Sequence, residues 1–461
     1  MQTSTLLGLA GCLLGTSLFM ACDLLNIDKN NKEPVPSGFS YSTNALFYAP
    51  GSSIANDTPT FETGTAHHFS ITPQLPPGLS LDTGTGVISG TPTAEAAGVI
   101  YVVTAKSDTV ALAASVSITI SHWIGLPVDT LQNAAQLLVR REIPVVSSLH
   151  GTAYLPPEAG NLYVADRSAT HPGIFLVDTA TSKIRAFYSE QLPPSSMAFT
   201  GSGALVVTET NYAQGAVSVF NSLGKTFTMS FGSDNAVVAG SDRTYLMDHT
   251  TGAVTAFGGD VPNQSVSFNP QTGANSDPYD ITNSNNHAYI TRYNLKSLLI
   301  LDATQLGGGT RDSIDLSQFS SHHPSDTVAS APRMAWVTSY NGYVFVALQR
   351  LNYKYMALDT SVVVVLNSAK QIVATIPLKF RNPIAAHVVG STWYLTGIAN
   401  YDQSGGVEKI DLAQRVSAGS IVTAQSLSAD VFDFAPTGDH SGYIAYSTDY
   451  GYTTKVKKVT Y

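Results

Sequence analysis

The side chains in this sequence that could do chemistry are aromatic and basic, and they return at intervals. Arg167 and His171, Tyr212, Arg292 and Tyr293, Arg350 and Tyr353, Tyr401, and Tyr450 each lie in a short polar stretch between two apolar runs. Tyr and Arg combine flat contact area with directed hydrogen bonds, which is the equipment of protein or sugar recognition. If the stretches are equivalent loops of a repeating fold, residues far apart in sequence gather on one face. That face is the candidate ligand-binding surface, for a protein or a glycan. The competing reading is structural: tyrosines that cap loops by packing on one another.

Catalytic signatures are absent. The chain has no serine nucleophile elbow, phosphate loop or paired-glutamate constellation. His67-His68 and His322-His323 invite a metal, yet adjacent histidines point apart in a strand and no acidic partner stands at ligand spacing. No catalytic residue, metal ligand or cofactor is assigned on these grounds; a calcium ion is the one cofactor left open.

The elements that must position the loops are short strands. Hydrophobic residues make up 43% of the 461 and charged residues 12%, with 37 Gly, 23 Pro and 22 Tyr, which suits strands and turns better than helices. A formal net charge of -9 argues against nucleic acid as a partner, since phosphate binding needs clustered Lys and Arg. Cys12 and Cys22 are the only cysteines, so disulfides, zinc-thiolate sites and cysteine catalysis in a chain processed at Cys22 are excluded by arithmetic. Beyond residue 22 no apolar run approaches the ~20 residues of a membrane helix.

Residues 1–22, MQTSTLLGLAGCLLGTSLFMAC, are almost uncharged and end in a small residue followed by Cys22. This looks like a bacterial lipoprotein signal, with Cys22 the lipidated residue. An ordinary secretory signal or a short membrane anchor is the alternative. Residues 23–37 (DLLNIDKNNKEPVPS) then read as a flexible tether. The implied address is the cell envelope of a bacterium, outer membrane or cell surface, with the membrane reached through the lipid.

Residues 38–121 hold short strands around LPPGLSLD, then GVISGTPT, with a later strand pair. Pro76-Pro77-Gly78 makes a tight turn, Leu79 and Leu81 point to one face, and Gly84 to Gly86 closes a hairpin. The segment resembles the Ig-like repeat of bacterial surface proteins. The resemblance implies a β-sandwich used as a spacer or adhesion module. Related cadherin-like sandwiches bind calcium, which raises the question for Asp82 and Asp108, although an isolated Asp at a turn more often caps it. Residues 122–142 read as a linker, containing either a short helix or an outer strand of the next domain.

From residue 143 one sentence recurs. NLYVADRSATHPGIFLVD (161–178) and NHAYITRYNLKSLLILD (286–302) are both strand, polar loop, strand, aspartate. Candidate second strands begin at Leu162, Leu205, Val237, Ala288, Val344, Trp393 and Tyr443, with gaps of 43, 32, 51, 56, 49 and 50 by subtraction. Such spacing is that of β-propeller blades, seven in number. The blades resemble YVTN-type propellers in LYVA and FLVDTAT. A fourth strand for the last blade must come from elsewhere, and residues 143–148 (IPVVSS) are the natural donor. Glu209, Asp166 and Asn211 are candidates for part of the calcium site found in lactonase-like propellers.

The expected protein is therefore all-β: an N-terminal Ig-like β-sandwich followed by a seven-bladed β-propeller. It is expected to act as an envelope binding or scaffold protein. An enzyme of hydrolase, lactonase or lyase type, with its site at the channel mouth, is the alternative.

Overall fold

The computed structural model describes residues 34–139, 161–200, 203–221, 224–239, 244–257, 272–273, 275–303, 311–321, 330–438 and 440–461. Cys22, the donor strand expected at 143–148, and His322-His323 lie outside them. Among the described residues, no helix is long and apolar enough to cross a membrane.

The N-terminal sandwich follows from its turn chemistry. Gly78 has φ +90°, and a Cβ there would lie 2.0 Å from the Thr91 carbonyl oxygen, so only glycine fits. Asp82 Oδ1 accepts from the Gly84 and Thr85 N–H groups, both at 2.8 Å, and these bonds hold its carboxyl below the usual range. Asp82 is a turn cap. The turn pairs Leu79–Leu81 with Ile88–Gly90, and Ser40–Tyr41 pairs with Pro59–Thr60. The larger sheet runs Ala45–Tyr48, Ala111–Ile120, Ala96–Lys106, His68–Thr72. Leu46, Phe69, Ile88, Tyr101, Val103, Val116 and Ile118 form the core between them.

Seven antiparallel sheets then form a propeller. Their innermost strands are Ala134–Val139, Pro194–Phe199, Asn235–Ala239, Pro278–Ser284, Met334–Tyr340, Pro383–Val389 and Asp430–Gly438. Strands packed between neighbouring blades are covered on both faces: Leu205–Thr210 and Val362–Leu366 are buried throughout, and the second reads as an unbroken apolar run. An outer strand such as Arg311–Asp315 is mostly exposed and correspondingly polar. The aspartate closing the repeated sentence is another turn cap. Asp178 Oδ1 accepts from Ala180 N–H at 2.7 Å, and Asp411 Oδ1 from Ala413 and Gln414 at 2.9 Å.

Two phases differ from the sequence reading. In the third blade, Asn235–Ala239 is the innermost strand and Thr244–Asp248 the second, one strand later than the repeat suggested. The reason is a tight turn: Asp248 Oδ1 accepts from Thr250 and Thr251 N–H, both at 3.0 Å, so the loop-face loop has shrunk to the form used elsewhere at the opposite end. Second strands beginning at Leu205, Thr244 and His287 are spaced 39 and 43 residues by subtraction, which removes the irregular gap of 32. The other difference is Ala134–Val139. It lies in the segment read as linker helix or outer strand, and it is the innermost strand of blade one.

The ring closes where the last blade meets the first. Leu137, Leu162, Val164, Phe175 and Val177 share one core with Ala435, Tyr443, Ala445 and Val456. Main-chain bonds join the same edges, from Thr454 N–H to Gln132 O at 2.8 Å and from Ala134 N–H to Thr454 O at 3.1 Å. Phe47 of the sandwich meets Tyr188 of blade one edge-on at 5.3 Å, so the two domains are docked on each other.

Candidate functional site

Every innermost strand begins at the same end of the ring, where the loops between second and third strands also lie. In six of them the pairing register shifts close to that end. A β-bulge re-aims the next side chain. Here four of them point sideways into the neighbouring blade. Gln136 accepts from Met197 N–H at 2.5 Å, Ser196 from Val237 at 2.7 Å, Asp280 from Val337 at 2.8 Å and Asp433 from Leu137 at 2.7 Å. These bonds satisfy inner-edge amides that would otherwise face the channel unpaired. Burial pushes the Asp280 carboxyl up to about 7, against the pull of the Val337 and Ile281 N–H groups.

Above this girdle is a cavity of about 670 Å³. All seven blades line it, with Arg167, Ser195, Tyr212, Asp234, His249, Asp277, Tyr279, Trp336, His387, Phe432, Asp433 and Tyr452 among the contributors. A second space of about 520 Å³ continues the channel beyond Gln136, Trp336 and His387, and Asp280 faces it. Two imidazoles on the lining are fixed by carboxyl groups. His249 Nδ1 lies 2.8 Å from Asp277 Oδ1, and His387 Nε2 lies 2.7 Å from Asp433 Oδ1. Burial, then Asp277, Asp234 and Asp280, push the Tyr279 hydroxyl up to about 12, so it stays a neutral donor.

An aromatic ladder leads outward from the cavity wall. Trp336 meets Tyr279 edge-on at 5.4 Å, and Tyr279 stacks on Tyr293 at 5.4 Å. The Arg333 guanidinium then lies 5.1 Å from the Tyr293 ring and 4.6 Å from that of Tyr355. The Tyr293 hydroxyl donates to Gln349 Oε1 at 2.6 Å, which fixes the stack.

The residues expected to form the binding face separate into groups. Arg167 and Tyr212 line the cavity, the guanidinium 5.7 Å from the ring. Tyr293 stands one layer behind, in the ladder. Tyr353, Tyr401 and Tyr450 are on the surrounding rim, Tyr401 next to the cavity-lining Phe432 at 6.0 Å. His171 is elsewhere: it packs against His122 and Trp123, at 6.2 and 6.5 Å, where the linker leaves the sandwich. Arg292 and Arg350 are anchors of their own loops. Arg292 donates to the Ser297 and Thr272 carbonyls at 2.9–3.0 Å, and Arg350 to those of Phe319 and Thr360 at 3.0 and 2.8 Å. Guanidinium groups spent on backbone oxygens are not offered to a ligand.

The His–Asp pairs, Asp234 and Tyr279 escape the sequence reading, because nothing in their spacing marks them. The one available signal is positional: Asp280 and Asp433 both occur near the start of an inner strand, in PYD and VFD. The candidate calcium residues each hold groups of their own blade: Asp166 accepts from Ser168 N–H, Glu209 from the Ser218 hydroxyl and Asn211 from Ala213 and Gln214. Among the described residues, no three His, Cys, Asp or Glu side chains stand close enough to hold a metal.

Comparison with known proteins identifies the sandwich. Residues 29–121 match the family model described as "Putative Ig domain". This Ig domain is one-fifth of the chain, and the match says nothing of the propeller. No curated protein matches the chain. Solved structures similar to it include a functionally unknown protein from Desulfotomaculum acetoxidans, 11% identical over 70% of this chain and 91% of that one, TM-score 0.42. Apo AztD from Citrobacter koseri is 8% identical over 65% and 94%, TM-score 0.39. The dihydro-heme d1 dehydrogenase NirN is 13% identical over 68% of this chain, which spans 63% of that protein, TM-score 0.42. Similarities at this level carry no function across, and the strand pairing itself defines the propeller.

Proposed function

We propose that this protein is an envelope-anchored binding protein whose propeller captures a protein or glycan partner at the channel mouth. The observation that carries the reading is the cavity of about 670 Å³ to which all seven blades contribute. That volume falls within the ~300–1,000 Å³ of typical ligand pockets. Its polar groups are held in fixed orientations before any ligand arrives, which lowers the entropy lost on binding. The YVTN-like repeats and the Ig domain support an extracytoplasmic role, with the Ig domain as the spacer. Changing Arg167 and Tyr212 to Ala is expected to weaken capture of purified cell-envelope material by about 1–4 kcal/mol. The melting temperature should change little, because Tyr212 is exposed. Capture that persists in this variant places recognition elsewhere.

An enzyme reading has one observation in its favour, the His249–Asp277 and His387–Asp433 pairs on the same lining. An imidazole oriented by a carboxyl is the arrangement a general base uses. It separates from the binding reading by product formation from the captured material.

Anchorage is proposed at Cys22, from the apolar run ending at Ala21 and the charged tether after it. A Cys22→Ser chain is expected to leave the membrane fraction when cells are fractionated. Retention there would assign the anchor to something else.

A further inference from the structure

The rim around the cavity carries an unusual backbone. Tyr212, Tyr355, Tyr401 and Tyr450 have φ of 65°, 61°, 61° and 60°, in loop-face loops of blades two, five, six and seven. The left-handed region crowds the Cβ of any L-residue and is normally given to Gly or Asn. Bulky side chains persist there only when something is gained. Packing is only part of that gain: Tyr355 lies against Arg333, Tyr212 against Arg167 and Tyr401 against Phe432, yet the four residues remain 43–73% exposed, and neighbouring Tyr452 is 88% exposed. The strained turns hold tyrosine faces out toward solvent around one opening.

We infer that this rim and cavity recognise an oligosaccharide, the rim tyrosines stacking on pyranose faces while a sugar unit enters the mouth. The inference rests on the proposed binding reading and names its ligand class. A pyranose has apolar C–H faces and hydroxyl edges that both donate and accept, and the lining is built the same way. Tyr452, Phe432 and Trp336 give flat surfaces, while Asp234 and the two His–Asp pairs give directed polar groups. One arginine, Arg167, stands among three aspartates, which does not suit an anionic ligand such as phosphate. Strand addition by an extended peptide is disfavoured at four of the inner strands, where one inner-edge amide each is already taken. The N–H groups of Leu137, Met197, Val237 and Val337 already donate to side chains of the preceding blade.

The test uses the full-length chain in detergent on an array of bacterial and host oligosaccharides, with a peptide library beside it. Hits are measured by calorimetry for Tyr212→Gly, Tyr450→Gly, Tyr450→Phe and Tyr452→Ala. Glycan binding is expected to weaken at least about tenfold in Tyr450→Gly and Tyr452→Ala, and to survive in Tyr450→Phe, which keeps the stacking face. Melting temperatures of the glycine variants should be equal to or above that of the parent, because glycine relieves the positive φ. Glycan binding untouched by the rim changes overturns the inference. Peptide binding in place of glycan binding, sensitive to Arg167→Ala, overturns the ligand class while leaving the cavity as the site. Binding of neither probe overturns both readings.

Discussion

Replacing Asp433 with Ala is expected to lower the unfolding free energy of the propeller by roughly 2–5 kcal/mol. Asp433 belongs to the last blade and is buried. Its Oδ2 accepts from Leu137 N–H of the first blade at 2.7 Å, and its Oδ1 from Phe434 N–H at 2.8 Å and from His387. Truncation leaves two buried amides without an acceptor, and each such group costs about 1–3 kcal/mol. The position matters as much as the number, because one of these bonds spans 296 residues of sequence at the closing seam. Asp433→Asn keeps a single acceptor and should lose less. Denaturant unfolding followed by tryptophan fluorescence checks both, and a loss below about 0.5 kcal/mol for Ala would mean that the apolar cluster and the main-chain bonds at Thr454 close the ring without it.

Between pH 4 and pH 7 the protein is expected to lose stability as pH rises, by up to about 4 kcal/mol from Asp280. The sign follows from which state holds the proton. The Asp280 carboxyl titrates near 7 when folded and near its ordinary 3.8 when unfolded, so the folded state binds more protons across that window. Stability is therefore greatest below the unfolded value and declines until the folded value is passed. Glu190 adds a contribution of the same sign. Burial and the nearby Glu209 raise its pKa, while Lys225, which contacts it, opposes the shift. Asp280→Asn cannot titrate, so its stability should be flatter over this range than that of the parent. It keeps one carbonyl acceptor for the Val337 and Ile281 amides, as the protonated carboxyl does at pH 4, so its stability should lie nearest the parent's at that pH. Melting curves at pH 4.5 and 7.5 decide the matter, and an unchanged slope in Asp280→Asn would remove Asp280 as its source.

The binding face is partly legible in the sequence. Arg167 and Tyr212 are marked by type and by place in the repeat, and both reach the cavity. Arg292 and Arg350 carry the same marks, yet their guanidinium groups hold the carbonyls of Ser297, Thr272, Phe319 and Thr360. Residue type and loop position do not distinguish an arginine that braces a loop from one that greets a ligand. The acceptors are backbone atoms, and every residue has one.

What is local in this protein is written in its sequence alone. Turn chemistry in LPPGLSLD makes the Ig-domain hairpin, and aspartates such as Asp178 and Asp411 cap the blade turns, because each bond joins residues two or three apart. Apolar runs such as VVVVL declare strands covered on both faces. Convergence belongs to the folded chain. His387 meets Asp433 across 46 residues, His249 meets Asp277 across 28, and Asp433 reaches Leu137 at the opposite end of the propeller sequence. Those meetings depend on how many blades close the ring and where each inner strand bulges. A bulge adds one residue to one strand, leaves little trace in composition, and turns every later side chain to the other face.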